Sequence, residues 1–167
     1  MKLPQYLLGS LMLLAVGCTL PAEGLLKGGQ VVERRERTAN GHVISAIVAI
    51  DNFCSDKFIF SEPQLWGANS SGPHVIISNL EIFYDKDKVL IPYAKYTDLS
   101  DIRDVNLESV NEGFSISIKG GTGAATFEAI LSFDSFKLLL GRKVYRPDRQ
   151  GVIMEESENS YIRREDM

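Results

Sequence analysis

Between Gly113 and Phe133 apolar and polar side chains take turns. Phe114, Ile116 and Ile118 alternate with Ser115, Ser117 and Lys119. Past a glycine-rich break, Phe127, Ala129, Leu131 and Phe133 share one parity, with Glu128 and Ser132 on the other. Extended backbone sends successive side chains to opposite faces, so this rhythm predicts two strands, each with one buried face. Ile130 breaks the pattern and implies a second apolar surface. The intervening KGGTGAAT predicts a turn. A two-residue loop, Gly121-Thr122, would put Ile118 opposite Ala125; a six-residue loop, Gly120 to Ala125, would put it opposite Phe127. Both registers keep the same face inward, because they differ by two residues.

The same rhythm recurs along the chain. HVISAIVAI (42–50) predicts a buried strand, and Lys57–Phe60 places Phe58 and Phe60 on one face. Residues 63–73 read as loop. Val75–Tyr84 predicts a strand bent near Ser78-Asn79, and the polar turn at 85–88 leads into Val89–Ile91, giving a hairpin. Asp98–Asp104 reads as a polar connection with one helical turn capped by Asp98. Val105–Val110, Lys143–Arg146 and Ser160–Arg163 read as later strands, and Ser135–Leu140 as one short helical turn. Helical periodicity is poor throughout. The prediction is an all-β, antiparallel β-sandwich or barrel-like domain with at most short helical turns.

The N-terminus follows another logic. MKLPQYLLGSLMLLAVGCTLPAEG carries one charge, Lys2, before Glu23, and an apolar run from Tyr6 to Gly17. Twelve residues are short for a bilayer span but suit the middle of a signal peptide. The run ends in Leu14-Ala15-Val16-Gly17-Cys18, which resembles the lipobox of bacterial lipoproteins. The resemblance implies cleavage after Gly17, diacylglycerol on the Cys18 sulfur and acylation of the new N-terminus. Thr19, where Asp would retain a lipoprotein at the inner membrane, resembles outer-membrane sorting, with the protein facing the periplasm in a Gram-negative cell. The alternative is soluble secretion with cleavage near Gly17 or Ala22.

The expected organisation is therefore a signal peptide (1–17), a lipidated N-terminus and tether (18–41), and a single β-domain (42–167). Within the tether, Gln30–Val32 can contribute an edge strand, and Glu33–Arg37 is a solvated mixed-charge run. Only Cys18 and Cys54 exist. Lipid on Cys18 leaves Cys54 a free thiol; without it a Cys18–Cys54 bridge is open. The region from Leu80 to Tyr161 resembles small exported bacterial domains of unknown function, a likeness that implies no site.

Composition narrows the partners. The 167 residues carry a formal charge of -4, with 44% hydrophobic and 24% charged positions. These values suit one globular domain, and the acidic balance argues against nucleic acid. A phosphate loop needs its lysine after the last glycine and a helix behind it; here Lys119 precedes the glycines and a strand follows, so no nucleotide or other cofactor is expected. His42 and His74 lack metal-ligand spacing. Asp98, Asp101 and Asp104 would gather on one side of a helical turn, but read better as solvated loop acids. No GxSxG nucleophile motif is present.

Three aromatic residues remain as a candidate binding surface: Trp66 in PQLWGANSSG, and Tyr93 and Tyr96 around Ala94-Lys95. Exposed rings there could stack on a sugar or anchor a protein partner. The competing reading is that Trp66 only covers one end of the sandwich. The leading functional expectation is a lipid-anchored domain that binds an envelope protein or glycan. An inhibitor or immunity-type protein comes second, and a hydrolase third.

Overall fold

The computed structural model describes residues 24–53, 65–68, 72–111, 113–147 and 152–159. Two antiparallel sheets pack against each other as a sandwich, not a closed barrel. The first has four strands in sequential order: β1 (Gln30–Arg37), β2 (Val43–Asn52), β3 (Val75–Tyr84) and β4 (Asp87–Val89). The second has five, also sequential: β5 (Ile102–Val110), β6 (Gly113–Gly120), β7 (Phe127–Asp134), β8 (Leu139–Arg146) and β9 (Val152–Glu158). Each sheet is thus a meander in which neighbours in sequence are neighbours in space.

Burial follows the two-residue rhythm. Ile44, Ala46, Val48 and Ile50 of β2 face Phe114, Ile116 and Ile118 of β6, and Phe127, Ala129, Leu131 and Phe133 of β7, across one continuous core. Phe114 and Phe133 stack with ring centres 4.5 Å apart and planes within 8°. Ile130 is half-buried on the outer face. The bend expected in the second long strand is real: the β2–β3 register shifts between Ala49 and Ile50, opposite Ser78.

The register of the β6–β7 hairpin differs from both expected ones. Ile118 pairs with Ala129 and Gly120 with Phe127, so the loop is Gly121–Thr126, with a 3-10 turn at Gly123–Ala125. The slip is again an even number, and the same face stays inward. Packing selects it. A Cβ on Gly120 would lie 2.6 Å from the Phe127 ring and 2.7 Å from the Ser100 carbonyl oxygen. Gly121 takes φ 77°, and a Cβ there would strike the Ala125 carbonyl. The paired glycines let Phe127 lie on the backbone; a single 3-10 turn and then a strand follow them.

The fold reaches into the span expected as tether, 18–41. Leu25 is buried, Leu26 packs against the core, and β1 extends to Arg37. The mixed charges of Glu33–Arg37 lie on that strand, whose inward parity is held by Val32. Other boundaries also move. The helical turn sits at Tyr93–Lys95, not at Asp98. Ser135–Leu140 is a hairpin turn and the start of β8: the Asp134 carboxylate accepts the Phe136 and Leu138 amides. The last described strand is Val152–Glu158; the expected strands at Lys57–Phe60 and Ser160–Arg163 lie outside the described residues.

Two seams join the sheets. At the first, the Leu26 amide donates to the Ile102 carbonyl at 2.8 Å, and the Arg34 side chain donates to the Val105 carbonyl at 2.6 Å, so β1 covers the edge of β5. At the second, the segment from Leu90 to Ser100 touches β3 on one side and β8 and β9 on the other.

Candidate functional site

The aromatic trio expected as a surface splits on folding. Tyr96 is buried, 5% exposed, and that burial pushes its phenol's pKa up against an opposing pull from the Leu80 backbone. It is a core residue, not a surface one. Trp66 is half-buried, and its indole N–H donates to Glu155 at 3.1 Å. Only Tyr93 stands out, 64% exposed, edge-on to Tyr96 with ring centres 5.3 Å apart.

Around Trp66 the polar groups form a clip. Arg142 sits at an inward position of β8 and is 2% exposed. Its guanidinium grips Asp98 with two arms, at 2.7 and 2.8 Å, and donates to the Lys95 carbonyl. Its Nε lies 3.4 Å from Glu155, close enough for charge attraction but not aligned for a hydrogen bond. Glu155 holds the Trp66 indole, and the Trp66 amide donates to the Asp98 carbonyl. The ring of contacts closes on itself, a device for pinning the bridging segment over the second seam.

The three spaced aspartates part company. Asp98 meets Arg142. Asp101, fully buried, accepts the backbone amides of His74 at 2.6 Å and Val75 at 3.2 Å. Asp104 is exposed beside Arg34 at 3.5 Å. Asp101 also approaches the His74 ring at 3.4 Å. A hydrolytic dyad would need a nucleophile on the ring's other nitrogen. Among the described residues no hydroxyl or thiol is bonded there.

The end of the sandwich remote from Leu25 has a different character. A cavity of about 380 Å³ opens there among the β1–β2 turn, the end of β3, the β5–β6 turn and Ser135. Sequence reasoning did not single it out, although a signal was present. On β1, β3 and β5 the inward parity runs Val32-Arg34-Glu36, Leu80-Ile82-Tyr84 and Val105-Leu107-Ser109. The periodicity persists while the last inward residue turns polar. Which strands end around one mouth was not legible from the chain.

The mouth's aromatic wall is Tyr84. Phe114 lies 6.2 Å behind it, His42 5.0 Å to one side, and the Lys137 ammonium 5.0 Å from the ring centre. His42 bonds to Asp85 at 2.8 Å, while Asp85 also accepts the Val43 amide at 2.9 Å. That amide, then His42, holds the Asp85 carboxyl below the ordinary carboxylate range. Lys137 reaches from the β7–β8 turn to Asp87 at 2.8 Å, which raises the lysine's pKa and ties the two sheets together beside the mouth. Among the described residues no three metal-ligating side chains converge.

No family model matches the chain, and neither a curated protein nor a solved structure does.

Proposed function

We propose that this chain is an exported, lipid-anchored β-sandwich that acts by binding a protein or glycan of the cell envelope. One spatial relationship supports the reading: the chain enters the fold at one end and the polar mouth opens at the other. Leu26 bonds to Ile102, the first residue of β5, while Ser109 and Val110 at the far end of β5 line the mouth. Nine residues of strand span roughly 26 Å. Six residues, 19–24, separate Cys18 from Leu25. Fully extended they reach about 20 Å. With lipid on Cys18, the Leu25 end is held near the bilayer and the mouth is turned away from it, toward envelope components.

Several acyl chains on one residue give stable anchoring, since each buried methylene adds about 0.8 kcal/mol. The test is the intact mass of the protein made in a Gram-negative host with its own leader. Triacylated Cys18 as the new N-terminus is the expected result, and Cys18→Ala should move the protein from the membrane to the soluble fraction. An unlipidated protein beginning after Ala22 would sink the anchoring.

A further inference from the structure

We infer that the mouth at the β1–β2 turn end is a binding site for a neutral, polyhydroxylated ligand, a saccharide ring. The inference deepens the binding reading above by naming the ligand class. A cavity of about 380 Å³ lies within the 300–1,000 Å³ range of small-ligand sites. Its chemistry is selective by elimination. An anion would need surplus positive charge, but among the described residues Arg37 is the one cation lining the cavity, it donates to the Gly41 carbonyl, and Glu36 stands next to it. A divalent cation would need several oxygen anions, and among the described residues Glu36 is the one carboxylate lining the cavity. A purely apolar ligand would leave the amides of Asn40 and Asn111 and the Ser109 hydroxyl unpaired.

Those same groups suit sugar hydroxyls. Each sugar hydroxyl both donates and accepts, and Asn and Ser side chains do likewise. Tyr84 adds an aromatic ring with a hydroxyl, the apolar-and-polar combination that a pyranose presents in return. The wall is set before any ligand arrives. Phe114, His42 and Lys137 pack around Tyr84, so little side-chain freedom is lost on binding.

The ligand could be a free sugar or a unit of a glycan chain, and the experiment separates them. The mature, lipid-free chain is isotope-labelled and followed by amide NMR. The probes are glucose, N-acetylglucosamine, maltohexaose and chitohexaose, each taken to 20 mM, with glucuronate as an anionic control. Expected are millimolar, saturable shifts confined to residues 36–40, 84, 109–111 and 135 for at least one neutral probe. A hexamer at least tenfold tighter than its monomer marks a glycan chain; equal affinities mark a free sugar.

Asn111→Ala and Glu36→Gln, both at exposed positions, should each weaken binding at least fivefold without moving the thermal midpoint. No saturable shift with any neutral probe, shifts elsewhere on the sandwich, a response to glucuronate alone, or variants that bind like the parent would overturn the assignment. None of these outcomes bears on the mass of the lipidated N-terminus, so the two readings fail separately.

Discussion

Arg142 and Asp98 meet in a two-armed ion pair, at 2.7 and 2.8 Å, between an inward position of β8 and the segment that bridges the second seam. The arginine is almost fully buried, while Asp98 keeps 28% of its side-chain surface. Removing one partner of such a pair leaves the other charged and poorly solvated. Arg142→Ala should therefore cost about 3 kcal/mol. Arg142→Met, which refills the volume, should cost clearly less. Urea unfolding followed by Trp66 fluorescence measures both, because the indole is tied to Glu155 in the same ring of contacts. A loss below about 1 kcal/mol for the alanine variant would mean that the seam is held by something else.

The glycines of the β6–β7 loop should differ sharply from one another. Gly120→Ala pushes a methyl against both the Phe127 ring and the Ser100 carbonyl, and the carbonyl belongs to backbone that cannot swing away. A loss of about 3 kcal/mol is expected. Gly123 has φ 54° and nothing within 4 Å of its would-be Cβ, so Gly123→Ala should cost about 1 kcal/mol from backbone conformation alone. Thermal midpoints rank the two. Equal effects would show that close approach is not why Gly120 is there.

The Asp85 contacts predict an acid-sensitive latch beside the mouth. Its folded-state pKa is depressed, so its contribution is complete above the unfolded carboxylate value of about 3.9 and disappears as pH falls below that. Asp85→Asn keeps a residue type that tolerates the φ of 56° found there. The variant should melt at a lower temperature than the parent at pH 7, and the two should converge near pH 2. A difference that persists unchanged at pH 2 would assign the effect to shape, not charge.

The two tyrosines of the bridging segment should separate stability from exposure. Tyr96→Phe removes the polar end of a ring packed in the core, beside the Leu80 backbone, and should cost about 1 kcal/mol. Tyr93→Ala removes a ring that is mostly in solvent, and its midpoint should stay within the scatter of surface variants. Parallel denaturation curves test the pair; a larger loss for Tyr93→Ala would reverse the assignment of core and surface.

Much of the fold was legible in the alternation of side chains. Phe114, Ile116 and Ile118 had to share a face because an extended backbone has a period of two, and no partner strand is needed to see it. The turn at Lys119–Thr126 was legible for a similarly local reason, since the residues behind it alternate like a strand. The register was not, because slips by two leave the pattern intact; the Phe127 ring against Gly120 made the choice. β1 was half-hidden: Glu33–Arg37 reads as a solvated run, and only the proximity of β5 gives Arg34 a carbonyl to cap. Tyr96 and Tyr93 are chemically alike and three residues apart, so nothing local could say which would turn inward.

What the chain determined by itself is the class of structure: short strands with one apolar face, joined by turns, which hide those faces only by stacking sheets. Tertiary structure decided everything that depends on which strands end together. It gave Asp98, Asp101 and Asp104 three different partners, placed an arginine in the core where two carboxylates could meet it, and gathered Glu36, Tyr84 and Ser109 around one mouth. Periodicity is a property of neighbours along the backbone, whereas a site is made by side chains that become neighbours only after the sheets have packed.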